Sequence, residues 1–560
     1  MDAIQPAEYG GRSRQPPNGA NRNERSLAEM LAEMTVMNGV RSPGIAILFW
    51  LCGCVYALAG AHVYIEYGLN VPRYVIDGIE QSVPRSGGDL HYLQYVFPWP
   101  RYKKGIVMLS GVLYGISFIC IGNMAGNCIN CALRLVEAAN PEMKPGEFDE
   151  GKIRGIAIVI AIFPCLIHAF SRRGGILLNN LLAFIKVLML IFMIIATWAV
   201  AGGPLGAFLS IIFAFSGFDQ PNYVLGEIKN PRKTYPRSMW WGVGLVSALY
   251  MAVNICYMII VPTDDQEQRN VAQEFFNIIF DAYPESPSTN AKRYYIKRVV
   301  NAFLAISSFG NIVVMTYTAA RMKQEIAKQG FLPFTSFFAR NRDVSLGKFL
   351  MWLEGGERKS TTKNGHQGVL EPQGYDSQKV ASNRKPRGRF FKFLNPSNHR
   401  EKTPVGALVL HFASCIVLIL ATYNTSATNA YSVLSGLIAY LTSAWFGIFL
   451  ALGILILHFR GPPTTQPAPR YNQGPNQGPV QKTWAQMTRG SVDPKLSISC
   501  GCLYLVGNVY PIITSWVPPS KDLKQTSLAW WAVPVISWPC LTMGLGSEIV
   551  PRRKVVYSIF

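Results

Sequence analysis

Residues Phe213–Arg237 read FAFSGFDQPNYVLGEIKNPRKTYPR. The stretch begins as the apolar interior of a membrane span and places Ser216-Gly217 in its middle. It then admits Asp219 and Pro221 before ending in a basic loop. A helix facing lipid has no use for a glycine, an acid and a proline so close together. In hydrocarbon, each exposed backbone group or charge is costly unless protein or a water-filled cavity satisfies it. A span broken near the bilayer midplane is the device with which transporters hold small polar solutes. The stretch therefore predicts a broken membrane helix that lines a solute site.

The rest of the chain agrees with a membrane setting. It has 560 residues, 49% hydrophobic and 15% charged, where a soluble chain carries about 25% charge. The charge is displaced by about eleven apolar runs of about 18–25 residues, the length that crosses a bilayer as a helix. They lie near 44–66, 105–134, 153–170, 176–201, 206–226, 238–261, 298–319, 404–422, 430–458, 496–516 and 526–546. Barrel strands would be shorter and would alternate, so the expected class is an all-α polytopic membrane protein. The net charge of +21 falls on loops on alternate sides of the spans. Arg73, Arg85, Arg101, Lys103 and Lys104 occupy one, Arg172 and Arg173 another, and Lys229, Arg232, Lys233 and Arg237 a third. The positive-inside rule puts this set in the cytoplasm, which argues against a nucleic-acid partner. The 11 cysteines lie in or beside spans. Cys128-Ile129-Asn130-Cys131 has CxxC spacing but sits within a span without nearby histidines, so packing thiols are favoured over metal or redox sites. The first apolar run starts near residue 44, and no cleavable signal peptide is visible.

Residues 1–41 read as a disordered polar N-terminus, and Ser42-Pro43-Gly44 opens the first span with an N-cap and a proline at N1. A transmembrane core is expected over 42–339, a basic cytoplasmic loop over 340–402, further spans over 403–460 and a low-complexity linker over 461–495. Two last spans follow over 496–550, then a cytoplasmic tail over 551–560. Within the basic loop, residues 384–392 (RKPRGRFFK) suit anionic inner-leaflet lipid, although an ordinary positive-inside loop explains them as well. The turn Gly202–Gly206 is short and leaves no external domain there.

Ionisable groups inside spans are rare enough to weigh singly. Lys186, in LLAFIKVLML, is about ten residues from either end of its span, too far to snorkel at 1.5 Å per residue. Desolvation favours its neutral amine, which suits a proton carrier; a structural lysine bonded to carbonyls is the alternative. Asp219 is expected to line a cavity and to face an ammonium, a proton or a helix partner. Phe213, Phe215 and Phe218 flank the break, as lipid and packing contacts or as rings that occlude a ligand. Asn123, in ICIGNMAGN, either joins two helices or reads a polar group of the substrate. Glu66 and His168 are expected to bond at the interface. No catalytic dyad, metal-ligand cluster or nucleotide loop is legible, so neither an enzyme nor a cofactor is expected; a proton gradient is a candidate driving agent, with symport and exchange both open.

GFDQPNYVLGEIKNPRKTYPR closely resembles the segment after the broken sixth helix of the amino acid–polyamine–organocation transporters, most of all their fungal L-type amino acid and methionine permease branch. The resemblance covers most of 42–340 and, more weakly, 403–550. Ser42-Pro43-Gly44 with Glu66, Val83–Gly88, Ile121-Gly122-Asn123, Leu178-Asn179-Asn180 through Lys186, Phe309-Gly310-Asn311 and Ala319-Ala320-Arg321 carry it in order. It implies an inverted-repeat (5+5) fold with broken first and sixth helices. It further implies that Gly217 and its neighbours Ser216, Phe218 and Asp219 bind the substrate's amino end, that Asn123 faces the substrate, that Phe213 gates, and that Lys186 couples protons; Phe215, flanking the break, is the second gating candidate from its position. The implied substrate is a neutral L-amino acid, the mechanism alternating access, and the membrane the plasma membrane.

One departure accompanies the match. The family's first helix carries a glycine-rich break, and the residues before Ser42, NERSLAEMLAEMTVMNGV, hold neither that motif nor a full apolar span. Two expectations follow: a proton-coupled amino acid permease, or a truncated, transport-incompetent form that binds or scaffolds at the membrane.

Overall fold

Apolar runs in hydrocarbon become helices because only a helix or a closed barrel satisfies every backbone group internally. The computed structural model describes residues 43–71, 73–76, 79–82, 84–102, 107–143, 147–200, 219–228, 230–261, 271–280, 287–342, 344–345, 348, 403–463, 483–488, 492–516 and 531–542. The first half runs α1 (Pro43–Asn70), β1 (Arg73–Ile76), β2 (Ile79–Ser82), α2 (Gly88–Val96), β3 (Arg101–Tyr102), β4 (Val107–Met108), α3 (Leu109–Ile121), α4 (Ala125–Ala139), α5 (Glu150–Phe170) and α6 (Arg172–Val200). A 3-10 segment, Gln220–Glu227, precedes α7 (Pro231–Ile260), α8 (Val271–Ile279), α9 (Pro287–Lys328) and α10 (Thr335–Phe338). The remainder is α11 (Val405–Ala421), α12 (Ala427–Ile438), a π-helical segment (Ala439–Trp445), α13 (Phe446–Arg460), α14 (Trp484–Met487), α15 (Pro494–Thr514) and α16 (Ala532–Thr542). The strands form two short antiparallel ribbons, β1 with β2 and β3 with β4, that connect helices. The architecture is that of an all-helical polytopic membrane protein.

Among the described residues, 8 segments are long and apolar enough to cross a membrane, and Val405–Ala421 is a shorter apolar helix. Most of the expected 206–226 span lies outside the described residues, as do parts of 526–546, the turn 202–206, residues 1–42, residues 384–392 and most of the 461–495 linker. Two expected spans are interrupted. The run at 105–134 breaks between Ile121 and Ala125, where a Cβ on Gly122 would lie 2.6 Å from the Phe118 carbonyl oxygen. The run at 430–458 passes through the π-helical segment.

Helix starts follow local capping chemistry. Asp149 accepts from the amides of Gly151 (2.9 Å) and Lys152 (3.3 Å) at the head of α5, and the Lys152 and Gly151 amides hold its carboxyl below the usual carboxylate range. Ser426 accepts from the Asn429 amide, Asp493 from Lys495 with Pro494 at N1, and Thr483 forms a capping box with Gln486.

The α6 helix shows how the bundle is oriented. Leu177, Leu181, Phe184, Leu188, Ile191 and Ile195 recur at helical spacing and are exposed, the pattern of a lipid-facing stripe. Leu182 and Met193 are buried on the other side, and Lys186 lies on that side too, against α9. The α9 helix also runs along α4, and α1 packs on α7 and α15. Lipid tails are as apolar as leucine, so such helices associate through close packing and interhelical hydrogen bonds averaging about 0.6 kcal/mol. Glu66 illustrates the second term. It was expected at the interface but is 1% exposed; it accepts from Trp484 Nε1 (2.7 Å) and Ser497 Oγ (2.6 Å) and pairs with His458 Nε2 at 2.9 Å. One carboxylate thereby joins α1, α13, α14 and α15. His168 likewise turns inward, its Nε2 2.8 Å from the Val313 carbonyl oxygen.

Candidate functional site

Among the described residues, three places where the backbone leaves α geometry converge on one cavity of about 300 Å³. Gly122 and Met124 reach it from the α3–α4 break, Asp219 and Gln220 from the start of the 3-10 segment, and Thr442 and Ser443 from the π-helical segment. Loss of α geometry frees backbone polar groups, and inside a membrane such groups are tolerated where they line a cavity; π-bulges recur at functional sites. The fourth wall is α9, which presents Ser307, Ser308, Asn311, Met315 and Thr318. Trp50 of α1, Tyr250 of α7, and Tyr431 and Ser435 of α12 also line it.

The 3-10 segment is held by Asn222, which is fully buried. Its Oδ1 accepts from the Tyr92 and Tyr235 hydroxyls, both at 2.8 Å, and its Nδ2 donates to the Asp219 carbonyl at 3.0 Å. Asp219 is thus presented to the cavity from a fixed turn, and the Tyr223 hydroxyl donates to its carboxylate. Thr318 Oγ1 donates to Gln220 Oε1 at 3.3 Å, tying the segment to α9.

Of the residues picked from the sequence, Asp219 lines the cavity. Phe213, Phe215, Ser216, Gly217 and Phe218 lie outside the described residues. The Asn123 side chain braces the helix break and ties it to α11, so it joins two helices: Nδ2 donates to the Cys120 carbonyl (3.0 Å) and to the Ser414 carbonyl of α11 (3.5 Å), and Oδ1 accepts from the Ala125 amide (3.0 Å). Its neighbours Gly122 and Met124 face the cavity instead. Lys186 stands one residue behind the wall, where its ammonium donates to Asn311 Oδ1 at 2.6 Å. Gly310 makes room for that contact, since a Cβ there would be 3.0 Å from Lys186 Cε and 3.3 Å from Nζ.

Sequence reasoning missed the polar face of α4. Asn127, Asn130 and Arg134 line the cavity at i, i+3 and i+7, spacing that a helical reading of NCINCALR contains. Asn130 Nδ2 donates to Ser308 Oγ at 3.0 Å, and Arg134 donates to Glu137 at 2.9 Å, to Asn130 at 3.3 Å and to Asn301 at 3.4 Å. Arg134 is therefore a neutralised cation. Also missed was a clasp at the basic end of the bundle. Glu227, last in the 3-10 segment, pairs with Arg172 at the head of α6 and Arg321 of α9, each at 2.7 Å, and accepts from the Tyr317 hydroxyl.

The sequence compares with known proteins along nearly its whole length. Residues 28–538 match the model of the amino acid permease family. The chain is 23% identical over 548 residues to the high-affinity methionine permease of Saccharomyces cerevisiae, covering 91% of this chain and 74% of that protein. It is 25% identical over 327 residues to the low-affinity methionine permease of the same yeast, covering 53% of each. It is 23% identical over 323 residues to the b(0,+)-type amino acid transporter 1 of Mus musculus, covering 54% of this chain and 59% of that one. The chain thus spans only about half the length of the last two. A cavity walled by interrupted helices inside a bundle of membrane-length helices, together with a match over residues 28–538, places this chain in the amino acid permease family.

Proposed function

We propose that this protein moves neutral L-amino acids, methionine-like ones among them, across the plasma membrane by alternating access coupled to protons. The observation that carries the reading is the cavity at the meeting point of the three interruptions. Its volume stands at the lower end of the usual range for small-molecule sites, about 300–1,000 Å³. Its lining mixes hydroxyl and amide side chains with Met124, Met315 and Phe118, groups suited to an apolar or thioether side chain. Asp219 and Arg134 are its charged groups among the described residues, and Arg134 is neutralised by Glu137. The Asp219 carboxylate, which also accepts from the Tyr223 hydroxyl, supplies the negative charge that suits a substrate ammonium, and Arg134, paired with Glu137, is ill placed to select an acidic side chain. The two yeast methionine permeases among the relatives favour the same substrate class. For the proton, the support is Lys186, joined to the cavity wall through Asn311.

The test is uptake by the purified chain in proteoliposomes. Saturable, stereoselective uptake of L-methionine that quickens with an inward proton gradient is expected. Absence of uptake by folded protein would favour the scaffolding alternative.

A further inference from the structure

Behind the cavity wall lies a second carboxylate. Asp89, at the head of α2, is 1% exposed. Its Oδ2 accepts from the Tyr114 hydroxyl at 3.1 Å and lies 3.5 Å from the Tyr223 hydroxyl, the same hydroxyl that donates to Asp219. Its Oδ1, fully buried, makes no hydrogen bond. Among the described residues, the titratable groups around it are Tyr64 and Tyr67 of α1, Tyr92 of α2, Tyr114 of α3, Asp219 and Tyr223 of the 3-10 segment, Tyr235 of α7 and Tyr504 of α15. None of them is a cation. The nearest histidine on its own helix, His91, is turned toward Glu325 at 4.0 Å.

Three facts bear on the state of this group. A desolvated carboxylate with no cation and an unmade hydrogen bond is costly, whereas the neutral acid is not. Two carboxyls that share one hydroxyl cannot both be served by it when both are ionised, because a phenol has one proton to give. Acids placed in this way hold a proton between them, as paired carboxyls do elsewhere. We propose that Asp89 is the inner proton-holding group of the transporter, exchanging its proton with the cavity through Tyr223 and Asp219.

The step balances without a further reactant. A proton arriving from the cavity binds Asp219; Asp219 passes a proton to the Tyr223 oxygen as Tyr223 passes its own to Asp89. The phenol is regenerated, and one positive charge has moved inward. A substrate ammonium beside Asp219 favours the ionised form of that residue and drives the proton to Asp89, so substrate and proton are loaded together. Tyr114 donates to Asp89 and steadies the ionised form once the proton leaves. This rests on the proton-coupled reading above and adds to it a named carrier distinct from Lys186.

The experiment compares the wild-type chain with Asp89→Asn and Tyr223→Phe in proteoliposomes, recording methionine uptake with and without an inward proton gradient, the accompanying proton flux with a trapped pH dye, and counterflow at zero gradient. Asp89→Asn mimics the protonated acid and is expected to lose gradient stimulation and proton flux while counterflow persists at a reduced rate. Tyr223→Phe, which keeps both acids, is expected to slow the gradient-driven component selectively. A wild type indifferent to the gradient refutes the coupling reading and the proposal with it. A gradient-dependent wild type alongside an equally gradient-dependent Asp89→Asn refutes Asp89 alone. Should Asp89→Asn fail to fold, the infrared carbonyl band of a protonated aspartic acid in wild-type protein decides. Its presence, altered in Tyr223→Phe, supports the proposal; its absence across the pH range of transport overturns it.

Discussion

Replacing Glu227 with glutamine should loosen the basic end of the bundle, by an amount the contacts allow one to work out. The carboxylate is 20% exposed and is held at 2.7 Å by Arg321 (12% exposed) and at 2.7 Å by Arg172 (32% exposed), with the Tyr317 hydroxyl as a third donor. A hydrogen bond to a charged group contributes about 1.5–3 kcal/mol net when shielded, and less where water screens it. Glutamine keeps one oxygen for one arginine and offers the other an N–H, so one charged contact is lost and the remaining one weakened. With the exposed Arg172 discounted, the loss is about 2 kcal/mol, or about 30-fold in the equilibrium for opening the clasp. The clasp joins the 3-10 segment to the head of α6 and to α9 at one end of the bundle. Amide hydrogen exchange reads local opening directly: residues 220–227 and the first turn of α6 should exchange about 30-fold faster in Glu227→Gln, with α13 and α15 unchanged. Exchange in the 3-10 segment within about twofold of wild type would refute the argument, because the clasp would then not hold that segment.

Other expectations follow from neighbouring contacts. Lys186→Met removes the amine that donates to Asn311 and should abolish the stimulation of uptake by a proton gradient; uptake as gradient-dependent as wild type would count against the assignment. Gly310→Ala puts a Cβ 3.0 Å from Lys186 Cε and should displace the ammonium from Asn311. Uptake should then fall with little change in melting temperature, and the double variant with Lys186→Met should be no worse than Lys186→Met alone, as coupled sites require. The carboxyl of Asp149 is held below its usual range by the α5 amides, so its cap is intact above the ordinary carboxylate range and is lost as pH falls through the depressed value. Deuterium exchange at the Gly151 and Lys152 amides should accelerate on that descent, and Asp149→Ala should remove the pH dependence.

Much of this was legible from residue types alone. Long apolar runs announce membrane helices because hydrocarbon leaves the backbone no other option, and α1, α5, α7 and α15 lie where the runs lie. The carboxylate at Asp219 announced a cavity because lipid would not tolerate it. The interruptions at Gly122–Met124 and Ala439–Trp445 were not legible. Each lies within an apolar run, and hydropathy does not distinguish an α turn from a π turn. The Glu227 clasp and the Asp89–Tyr223–Asp219 chain escaped for another reason. Their members come from segments far apart in sequence, and a tyrosine or arginine near a span end reads as an interfacial anchor until folding supplies its partner. Asn123 was legible in part: its polarity marks a residue that joins two helices, and its bonds go to the Cys120 carbonyl and the Ala125 amide of its own helix break and to the Ser414 carbonyl of α11.

The central claim is that the substrate occupies the cavity where the interrupted helices meet. Ser307 lines that cavity from α9 and is only partly buried, so a larger side chain can enter the space without displacing the packed core. The measurement is methionine binding and uptake by Ser307→Phe against wild type, with the thermal unfolding transition recorded for both. Loss of saturable binding and uptake, with the unfolding transition retained, is the predicted result. Wild-type affinity and rate in Ser307→Phe would contradict it, because a phenyl ring in so small a cavity leaves no place there for the substrate.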